Sequence, residues 1–551
     1  MTYNIGLDAD FWKRVQQDDA YAGHRKDLLR KWEAFCTVPV TALPYGLFKR
    51  FYIDGNREEY ENSYFARRQG CNTAALLALI WPEEDKYLQR LQDYIFTICN
   101  EYTWVLPAHQ KTLEQYDPLY IDLFAAETAL ILAEIYVLLK ERLDPFICRR
   151  IEEELERRIL KPYKKNAFPW EKVKHNWAAV CTCGVAVTLM NLFPQEAKGL
   201  IPRFEMAIEN FLSGYGEDGF CPEGTAYWGY GFGFFTVYAE RLRTFCGIDH
   251  FKKAKVANIA EFLQKKYLSG GAEVTFCDTD LETQYNVGIQ HFLYREYPDR
   301  VVIPPYRFAA YTDGMARMLC LHIRSFLWFN PDVEPEEPRG LHYGANVQWL
   351  ICQKEHFGFA AKAGHNNENH NHNDIGSFIF AKNGRQIITD PGRGQYCRDY
   401  FGDKRYEFLH TSSKGHSVPI IGGMHQKNGP KFKATQVEWN DNTFSMELAD
   451  AYDCSVLRSL KREFRLLDDG VILTDWFDCD ETVVERFVTL EEPNVENGRI
   501  CWKDTEMVFD SECSVTVERA EAVIDGGVIQ VLYLIDILPR KGATHFSCRI
   551  V

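Results

Sequence analysis

The residues with the clearest chemical potential lie in one polar stretch, Gly364-His-Asn-Asn-Glu-Asn-His-Asn-His-Asn-Asp-Ile-Gly376. Three histidines, five asparagines, one glutamate and one aspartate fall within eleven positions between two apolar runs. On an extended strand, His370 and His372 would point to the same face. Imidazole binds metals and carries protons near neutral pH. The spacing therefore predicts either two ligands of one metal or one ligand beside one proton-transfer group.

Asp390 and His416, which follow later in the chain, could complete a metal site. Asp390 ends an apolar run in Asp390-Pro-Gly392, and His416 precedes another run. Together with His372 they would offer nitrogen and oxygen donors to one divalent ion. Zinc is the expected metal, ahead of calcium.

Two segments of the first half also carry candidate residues. His175-Asn176-Trp177 precedes an apolar helix, where the asparagine could be an N-cap or could bind a ligand. The glycine-rich segment from Asp218 to Gly231 contains Glu223, Tyr227 and Tyr230. Since Tyr227 and Tyr230 are three residues apart, they would share one helical face.

The chain that positions these residues changes character near residue 330. Before it, apolar residues recur at helical spacing, and Asp117-Pro118 predicts a helix start with an N-cap and a proline at the first position. After it, short alternating runs are separated by turn signals such as Lys382-Asn-Gly, a pattern typical of antiparallel strands. We predict a helical domain over 1–335 and an antiparallel β-sandwich over 340–551.

Composition excludes several classes of protein. The 551 residues carry 63 Lys and Arg against 78 Asp and Glu, a net charge of −15, so binding to nucleic acid or an anionic membrane through net charge is not expected. No run approaches about 18 apolar residues, and the N-terminus shows no leader pattern. The 17 scattered cysteines are expected to be reduced thiols of a cytoplasmic protein. A homodimer is the assembly that we assume.

Taken together, the motifs resemble those of the heparinase II/III-like polysaccharide lyases. The matching segments occur in the family's order and are His175-Asn-Trp177, Asp218–Tyr230, His370–Phe378, Asp390-Pro-Gly392 and Ser412–His416. The resemblance covers roughly residues 100–480. It implies an N-terminal incomplete (α/α) toroid followed by a C-terminal antiparallel β-sandwich, a two-domain α + β architecture.

The same resemblance implies a role for each candidate. Asn176 would hold a uronate carboxylate, Tyr230 would be the catalytic tyrosine with Tyr227 as second choice, and His370 would be the catalytic histidine. The metal, a structural zinc in this reading, would be bound by His372, Asp390 and His416. The residues expected to contact substrate are His175, Trp177, Glu223, Tyr227 and Arg405.

The implied reaction is β-elimination on a uronate-containing, glycosaminoglycan-like anionic glycan, which leaves a 4,5-unsaturated uronate. Three alternatives stay open from the residues alone. A zinc-bound hydroxide could hydrolyse an ester, amide or phosphate. Paired carboxylates such as Asp218 and Glu223 could make a glycoside hydrolase. A glycan-binding protein without catalysis could keep the same cleft.

Overall fold

The computed structural model describes Gly6, residues 8–305 and residues 318–551, and it divides into two compact units. Unit 1 comprises Met1–Gly214, Trp228–Ala257 and Gln284–Glu336. Unit 2 comprises Tyr215–Tyr227, Asn258–Thr283 and Glu337–Val551. Two segments on the N-terminal side of the predicted boundary therefore belong to the same unit as the strands.

The helices belong mainly to unit 1. In chain order they are α1 Ala9–Gln17, α2 Ala22–Lys31, α3 Tyr45–Asp54, α4 Glu58–Ile80, α5 Asp85–Cys99, α6 Leu123–Leu139, α7 Pro145–Leu155, α8 Lys161–Lys165, α9 Asn176–Leu192, α10 Pro194–Leu212, α11 Thr225–Cys246, α12 Ala254–Ala260, α13 Phe262–Lys265, α14 Val287–Glu296 and α15 Leu319–Leu327. Within the described ranges, none of these helices has both the length and the apolar character needed to cross a membrane. All 17 cysteines are free thiols, as their scattered spacing predicts.

Helix α6 begins later than the sequence pattern indicates. The carboxylate of Asp117 accepts a hydrogen bond from the Leu119 N–H at 2.9 Å and closes only a turn. The true N-cap is Asp122, whose side chain accepts from the Ala125 N–H at 2.7 Å. The predicted start at Asp117-Pro118 is therefore wrong by five residues, because a second capping aspartate lies closer to the apolar run.

Within the described residues the strands all belong to unit 2, and every pairing among the named strands is antiparallel, which confirms the strand pattern predicted for the second half. In chain order the strands are β1 Gly340–Gly344, β2 Trp349–Gln353, β3 Gly358–Lys362, β4 His365–Asn366, β5 Phe378–Lys382, β6 Arg385–Ile388, β7 Ile420–Ile421, β8 Gly429–Lys433, β9 Thr435–Asn440, β10 Thr443–Glu447, β11 Leu457–Leu466, β12 Val471–Cys479, β13 Val483–Thr489, β14 Asn494–Glu496, β15 Arg499–Cys501, β16 Glu506–Phe509, β17 Ser514–Ile524, β18 Val528–Leu538 and β19 His545–Ile550. They form sheets with the orders β1-β2-β3-β5-β6, β14-β15-β16-β19-β12-β11-β10-β9, β17-β18-β13-β7 and β4-β8.

The β5–β6 hairpin shows how local sequence sets this topology. Its turn residues Asn383 and Gly384 have φ values of 51° and 78°, the left-handed conformation that a two-residue hairpin turn requires. Behind the hairpin, Phe378 of β5 and Phe359 of β3 pack their rings 5.1 and 5.2 Å from the ring of Phe464 on β11. The five-stranded and eight-stranded sheets therefore share one buried core.

A buried ion cluster connects that core to the loops of unit 2. Arg462 on β11 is fully buried and donates to Asp475 at 2.5 Å and to Glu485 at 3.2 Å. The same guanidinium donates to the backbone carbonyls of Gly376 and Ser417, each at 2.8 Å. Because these residues flank the polar stretch and His416, Arg462 helps to fix both loops.

We expect Arg462→Leu to lower the free energy of unfolding by about 3–5 kcal/mol, because Asp475 and Glu485 would remain buried without their counter-charge. Arg458→Leu on the same strand is the matched control. Arg458 is exposed and pairs with Asp478 and Asp480 at the surface, so its loss should change stability little. Urea unfolding of both variants measures the difference, and equal effects would contradict this role of Arg462.

Candidate active site

A buried aspartate, Asp278, organises the polar centre of unit 2. Its carboxylate accepts hydrogen bonds from His370 Nδ1 at 2.8 Å, His372 Nε2 at 3.0 Å and the Tyr400 hydroxyl at 2.7 Å. It also accepts from Arg405 Nη2, 2.9 and 3.0 Å from its two oxygens. Four side chains from the second half of the chain thus converge on one residue of segment 258–283.

The charge state of Asp278 sets the state of both histidine rings. Burial alone would raise the pKa of Asp278, but the hydrogen bonds from His370 and His372 and the charge of Arg405 hold this pKa well below its usual value. An ionised carboxylate can only accept, so each histidine must present an N–H to it. When the rings are neutral, Nε2 of His370 and Nδ1 of His372 are left as lone-pair sites.

The two histidines reach Asp278 from a loop. They occupy the connection between β4 and β5, so the same-face geometry that an extended strand would give does not apply to them. His370 has a φ of 59°, a left-handed conformation that histidine tolerates better than most residues. This turn brings both rings to Asp278 in place of the alternation that a strand would impose.

An aromatic pair stands beside His370. The ring of Tyr227 stacks on the imidazole with centroids 3.9 Å apart and an interplanar angle of 20°. The Tyr227 hydroxyl lies 2.8 Å from that of Tyr396. Burial and the nearby charge of Asp278 raise the pKa of Tyr227, so this tyrosine is a neutral hydrogen-bond donor at neutral pH. Glu223 Oε1 lies 3.9 Å from His370 Nε2.

The Asp390-Pro-Gly392 turn places the next part of the site against segment 258–283. The Asp390 carboxylate accepts from the Gly392 N–H at 2.9 Å, and the Arg393 N–H donates to the Thr279 carbonyl at 3.1 Å. Gly392 has a φ of 68°, and a Cβ there would lie only 2.2 Å from the Thr279 oxygen. Glycine is therefore required for this close approach.

Four buried side chains form a group that could hold a metal ion. His372, Asp374, Asp390 and His416 each offer one ligand atom, and these atoms lie within 4.8 Å of one another. Nδ1 of His372 and Oδ2 of Asp374 are buried without a hydrogen-bond partner in the described structure, and Oδ2 of Asp390 and Nδ1 of His416, 3.2 Å apart, have no partner beyond each other. Buried polar atoms are normally satisfied, so four such atoms facing one another fit a cation.

The remaining atoms of these four residues are held by neighbouring groups. His416 Nε2 donates to the His410 carbonyl at 2.8 Å, which leaves Nδ1 as the lone-pair site, and His372 is oriented by Asp278. The other oxygen of Asp374 accepts from Lys362 Nζ at 2.7 Å. Such supporting bonds fix ring orientation and tautomer at metal sites. The structure thus brings together the three predicted ligands and adds Asp374.

A second set of predicted residues lies in unit 1. Asn176 is the first residue of α9 and is buried, while His175 occupies the N-cap position, so the N-cap reading of Asn176 is wrong. The Tyr230 hydroxyl donates to Glu127 on α6. Next to Tyr230, a Cβ on Gly231 would lie 3.2 Å from the Asn176 Cβ. Asn176 and Tyr230 therefore come from closely packed helices.

Trp177 and His109 lie next to each other in unit 1, close to Asn176. Their ring centroids are 4.8 Å apart, and His109 Nδ1 contacts the Asp122 carboxylate at 2.7 Å. Asp122 also caps α6, so the same residue fixes the helix start and the histidine ring. Trp177 is thereby held beside Asn176 at the beginning of α9.

The basic residues after the Asp390-Pro-Gly392 turn are largely engaged within the protein. Arg405, expected to contact substrate, is committed to Asp278 and also donates to the Asn371 carbonyl. Arg393 pairs with Asp280 at 2.6 Å and Asp525 at 2.7 Å, and Lys404 with Asp399 at 3.3 Å. These contacts order the loop that carries Tyr396 and Tyr400.

Sequence reasoning missed Asp278, Tyr396 and Tyr400 and gave no role to Asp374. Asp278 lies in Thr275-Phe-Cys-Asp278, which carries no recognisable signal. Asp374 follows His372-Asn373 directly and stands within the polar stretch, so its proximity to the predicted ligands could have identified it.

The comparisons with known proteins agree with this geometry. Residues 336–519 match the family model of the heparinase II/III-like C-terminal domain. The expected resemblance is thereby confirmed, and the domain includes His370, His372, Asp374, Asp390 and His416. No curated protein sequence matches the chain.

Solved structures similar to the whole chain include two named for activity on heparin-related glycans. Heparinase III aligns over 100% of this chain and 92% of its own length, with a TM-score of 0.60 and 14% identity. A heparan sulfate lyase from Pedobacter heparinus aligns over 99% and 92%, with a TM-score of 0.58 and 11% identity. Chondroitin AC lyase from Streptomyces coelicolor A3 aligns over 98% and 82%, with a TM-score of 0.54 and 11% identity. At these identities the likeness shows the fold.

We expect Asp278→Asn to destabilise the protein by about 3–5 kcal/mol, because the largely buried Arg405 would lose its counter-charge. Asp280→Asn, two residues away, removes a half-exposed carboxylate and should cost less than about 1 kcal/mol. Thermal and urea unfolding of both variants provide the measurement. If Asp278→Asn unfolds like the Asp280 control, the stability of unit 2 does not depend on this carboxylate.

Proposed function

We propose that this protein is a polysaccharide lyase that cleaves an anionic, uronate-containing glycan by β-elimination. The observation that carries the proposal is the pairing of Tyr227 with His370, whose ring is oriented by ionised Asp278. The family match and the fold shared with polysaccharide lyases support it. The product would carry a double bond between C4 and C5 of the uronate.

The chemistry requires a base at C5 and an acid at the leaving oxygen. His370 Nε2 is the lone-pair site of a ring whose Nδ1–H is held by Asp278, so it would take the C5 proton. Neutral Tyr227 would donate its proton to the glycosidic oxygen as the C4–O bond breaks. Tyr396, 2.8 Å away, would then donate to the resulting phenolate. Each positioned proton transfer typically contributes about 10²–10⁴ in rate.

Asn176 would supply the third requirement, which is stabilisation of the negative charge that develops on the uronate carboxylate. Its position at the first residue of α9 lets the helix N-terminus add to the amide dipole. One such donor is worth about 10²–10³ in rate by analogy with oxyanion holes. The resemblance assigns the same role to this residue.

Tyr227 is our proposed catalytic tyrosine, ahead of Tyr230. Tyr227 contacts His370 directly, whereas the Tyr230 hydroxyl donates to Glu127. The Tyr230 proton is held by the Glu127 carboxylate, so it is less available to a leaving oxygen. Tyr230 would instead help to position the Glu127 and Asn176 region of unit 1.

We also propose a divalent metal at His372, Asp374, Asp390 and His416. Two imidazole nitrogens and two carboxylate oxygens suit zinc better than calcium, which prefers oxygen alone. A bound zinc ion would supply charge that links the loop of His372 to the ends of the neighbouring strands. Since all four ligand atoms come from the protein, the site is of the closed, structural kind. This argues against hydrolysis by a zinc-bound hydroxide.

The paired-carboxylate alternative has less support. Asp218 Oδ1 accepts from the Phe220 N–H and Oδ2 from the Asn346 N–H, each at 3.0 Å, so both oxygens stabilise turns. We further propose that unit 1 is an incomplete (α/α) toroid and that the sheets of unit 2 form a sandwich, as the resemblance implies.

Purified protein mixed with heparan sulfate, chondroitin, hyaluronan and alginate should produce rising ultraviolet absorbance from the new C4=C5 bond on at least one glycan. His370→Ala and Tyr227→Phe should each lower the rate at least 10²-fold, since each removes one proton-transfer group. Tyr230→Phe should lower it less. His545→Ala, at an exposed position outside the proposed site, is the control.

The product distinguishes the alternatives. Reducing ends without new absorbance would refute elimination and favour a hydrolase. Binding of a glycan without any product would favour a non-catalytic protein. A larger loss in Tyr230→Phe than in Tyr227→Phe would reverse our assignment of the tyrosines.

Elemental analysis should find about one zinc per chain in protein purified without chelators. Asp374→Asn and His416→Ala should lose that zinc and unfold at lower temperature, because bound metal stabilises the folded state by mass action. His545→Ala should keep it. Full zinc content in the Asp374 and His416 variants would refute the proposed ligand set.

A further inference from the structure

Unit 1 contains a cavity that the reaction described above does not use. Its volume is about 740 Å³, within the range of small-molecule binding sites. Residues of α3, α4 and α5 and of the connection that follows α5 line it. Six of the lining residues are aromatic, namely Tyr45, Phe48, Tyr60, Phe96, Tyr102 and Tyr116.

The rings differ in exposure in a way that suits a ligand. Tyr102 is 70% exposed, Tyr45 is 62% exposed and Phe96 is 46% exposed, an unusual concentration of large apolar side chains at one site. Deeper rings are held by their neighbours. Phe48 packs edge-on against Tyr116 at 5.1 Å and against Tyr60 at 5.6 Å. The cavity thus combines a rigid wall with accessible ring faces.

A charged group lies among these rings. Arg67 lines the cavity and donates through Nε to the Thr41 carbonyl at 2.6 Å and through Nη1 to Glu101 at 2.9 Å. Its Nη2 group takes no part in these bonds. Arg68 also binds Glu101, at 2.6 and 2.7 Å. Two guanidinium groups therefore share one carboxylate, which leaves one net positive charge.

We propose that this cavity is a second glycan-binding site, which takes sugar rings of an acidic oligosaccharide. The electron-rich faces of aromatic rings attract the C–H faces of pyranoses. Arg67 Nη2 would donate to a carboxylate of the sugar, and the excess positive charge of the Arg67, Arg68 and Glu101 group favours an acidic ligand over a neutral one. The choice of a uronate-containing glycan as ligand rests on the proposed function, whereas the argument that the cavity binds an acidic sugar is independent of it.

The site has a structural connection to Asn176 within unit 1. The Tyr116 hydroxyl donates to the Val105 carbonyl at 2.6 Å, and the following Leu106 N–H donates to Asp122 at 3.1 Å. Asp122 in turn holds His109 against Trp177, the neighbour of Asn176. Occupation of the cavity would therefore act on a wall that also supports the start of α9.

The test uses the full chain with His370→Ala, so that bound glycan is not consumed. Octasaccharides of heparan sulfate, chondroitin and alginate are titrated calorimetrically, each beside its carboxyl-reduced, neutral form. Hydrogen exchange is then measured with and without the best-binding octasaccharide. Tyr45→Ala and Tyr102→Ala are added singly. Because both side chains are largely exposed, the fold should persist, and unfolding curves check this. Trp476→Ala, an exposed aromatic residue on β12, is the matched control.

We expect the glycan to protect backbone amides within 43–48 and 96–103. Each tyrosine variant should weaken binding by about three- to tenfold, as the loss of one ring contact predicts, and Trp476→Ala should not. The carboxyl-reduced form should bind more weakly. Equal binding of the two forms would refute the role of Arg67, and unprotected amides in both segments would refute the site. Ultraviolet product from the unaltered protein without this protection in His370→Ala overturns the cavity proposal alone, whereas protection in His370→Ala without product from the unaltered protein overturns the lyase proposal alone.

Discussion

The candidate active site depends on one buried carboxylate. Asp278 collects donors from His370, His372, Tyr400 and Arg405, and their combined effect keeps it ionised despite its burial. Because the carboxylate can only accept, it dictates which nitrogen of each histidine carries the proton. One residue therefore leaves a lone pair on each ring, which in our proposal serves as the proton acceptor of His370 and the metal ligand of His372. A buried charge that loses one of its partners lowers the free energy of unfolding, so the contacts around Asp278 stabilise the protein only when all of them are present.

The metal group and the proton-transfer pair share this support. His372 contacts Asp278 through Nε2 and faces Asp374, Asp390 and His416 through Nδ1. A change in the contact at one nitrogen of the His372 ring therefore affects the contact at its other nitrogen. In our proposal, the metal acts on the reaction by holding the loop that presents His370.

The sequence predicts much of this structure but not its centre. Short sequence motifs predict local structure, so the β5–β6 turn follows from Asn383-Gly384. The ligand residues could be found because polar residues between apolar runs are conspicuous. Asp278 could not be found, because its role is defined by partners 92 to 127 residues away. The start of α6 differs from the prediction because the proline after Asp117 favours that aspartate, whereas Asp122, next to the apolar run, is the residue that caps the helix.

The sequence separation between these partners has a consequence for biosynthesis. Tyr227 precedes Tyr396 by 169 residues, and Asp278 precedes Arg405 by 127. During synthesis, Tyr227 and Asp278 therefore leave the ribosome long before their partners Tyr396 and Arg405. Contacts between residues far apart in the sequence form slowly, because closing the long loop between them costs conformational entropy before the contact is made. The nascent chain must keep segments 215–227 and 258–283 available until residues beyond 400 have emerged, so the candidate active site cannot become ordered before then.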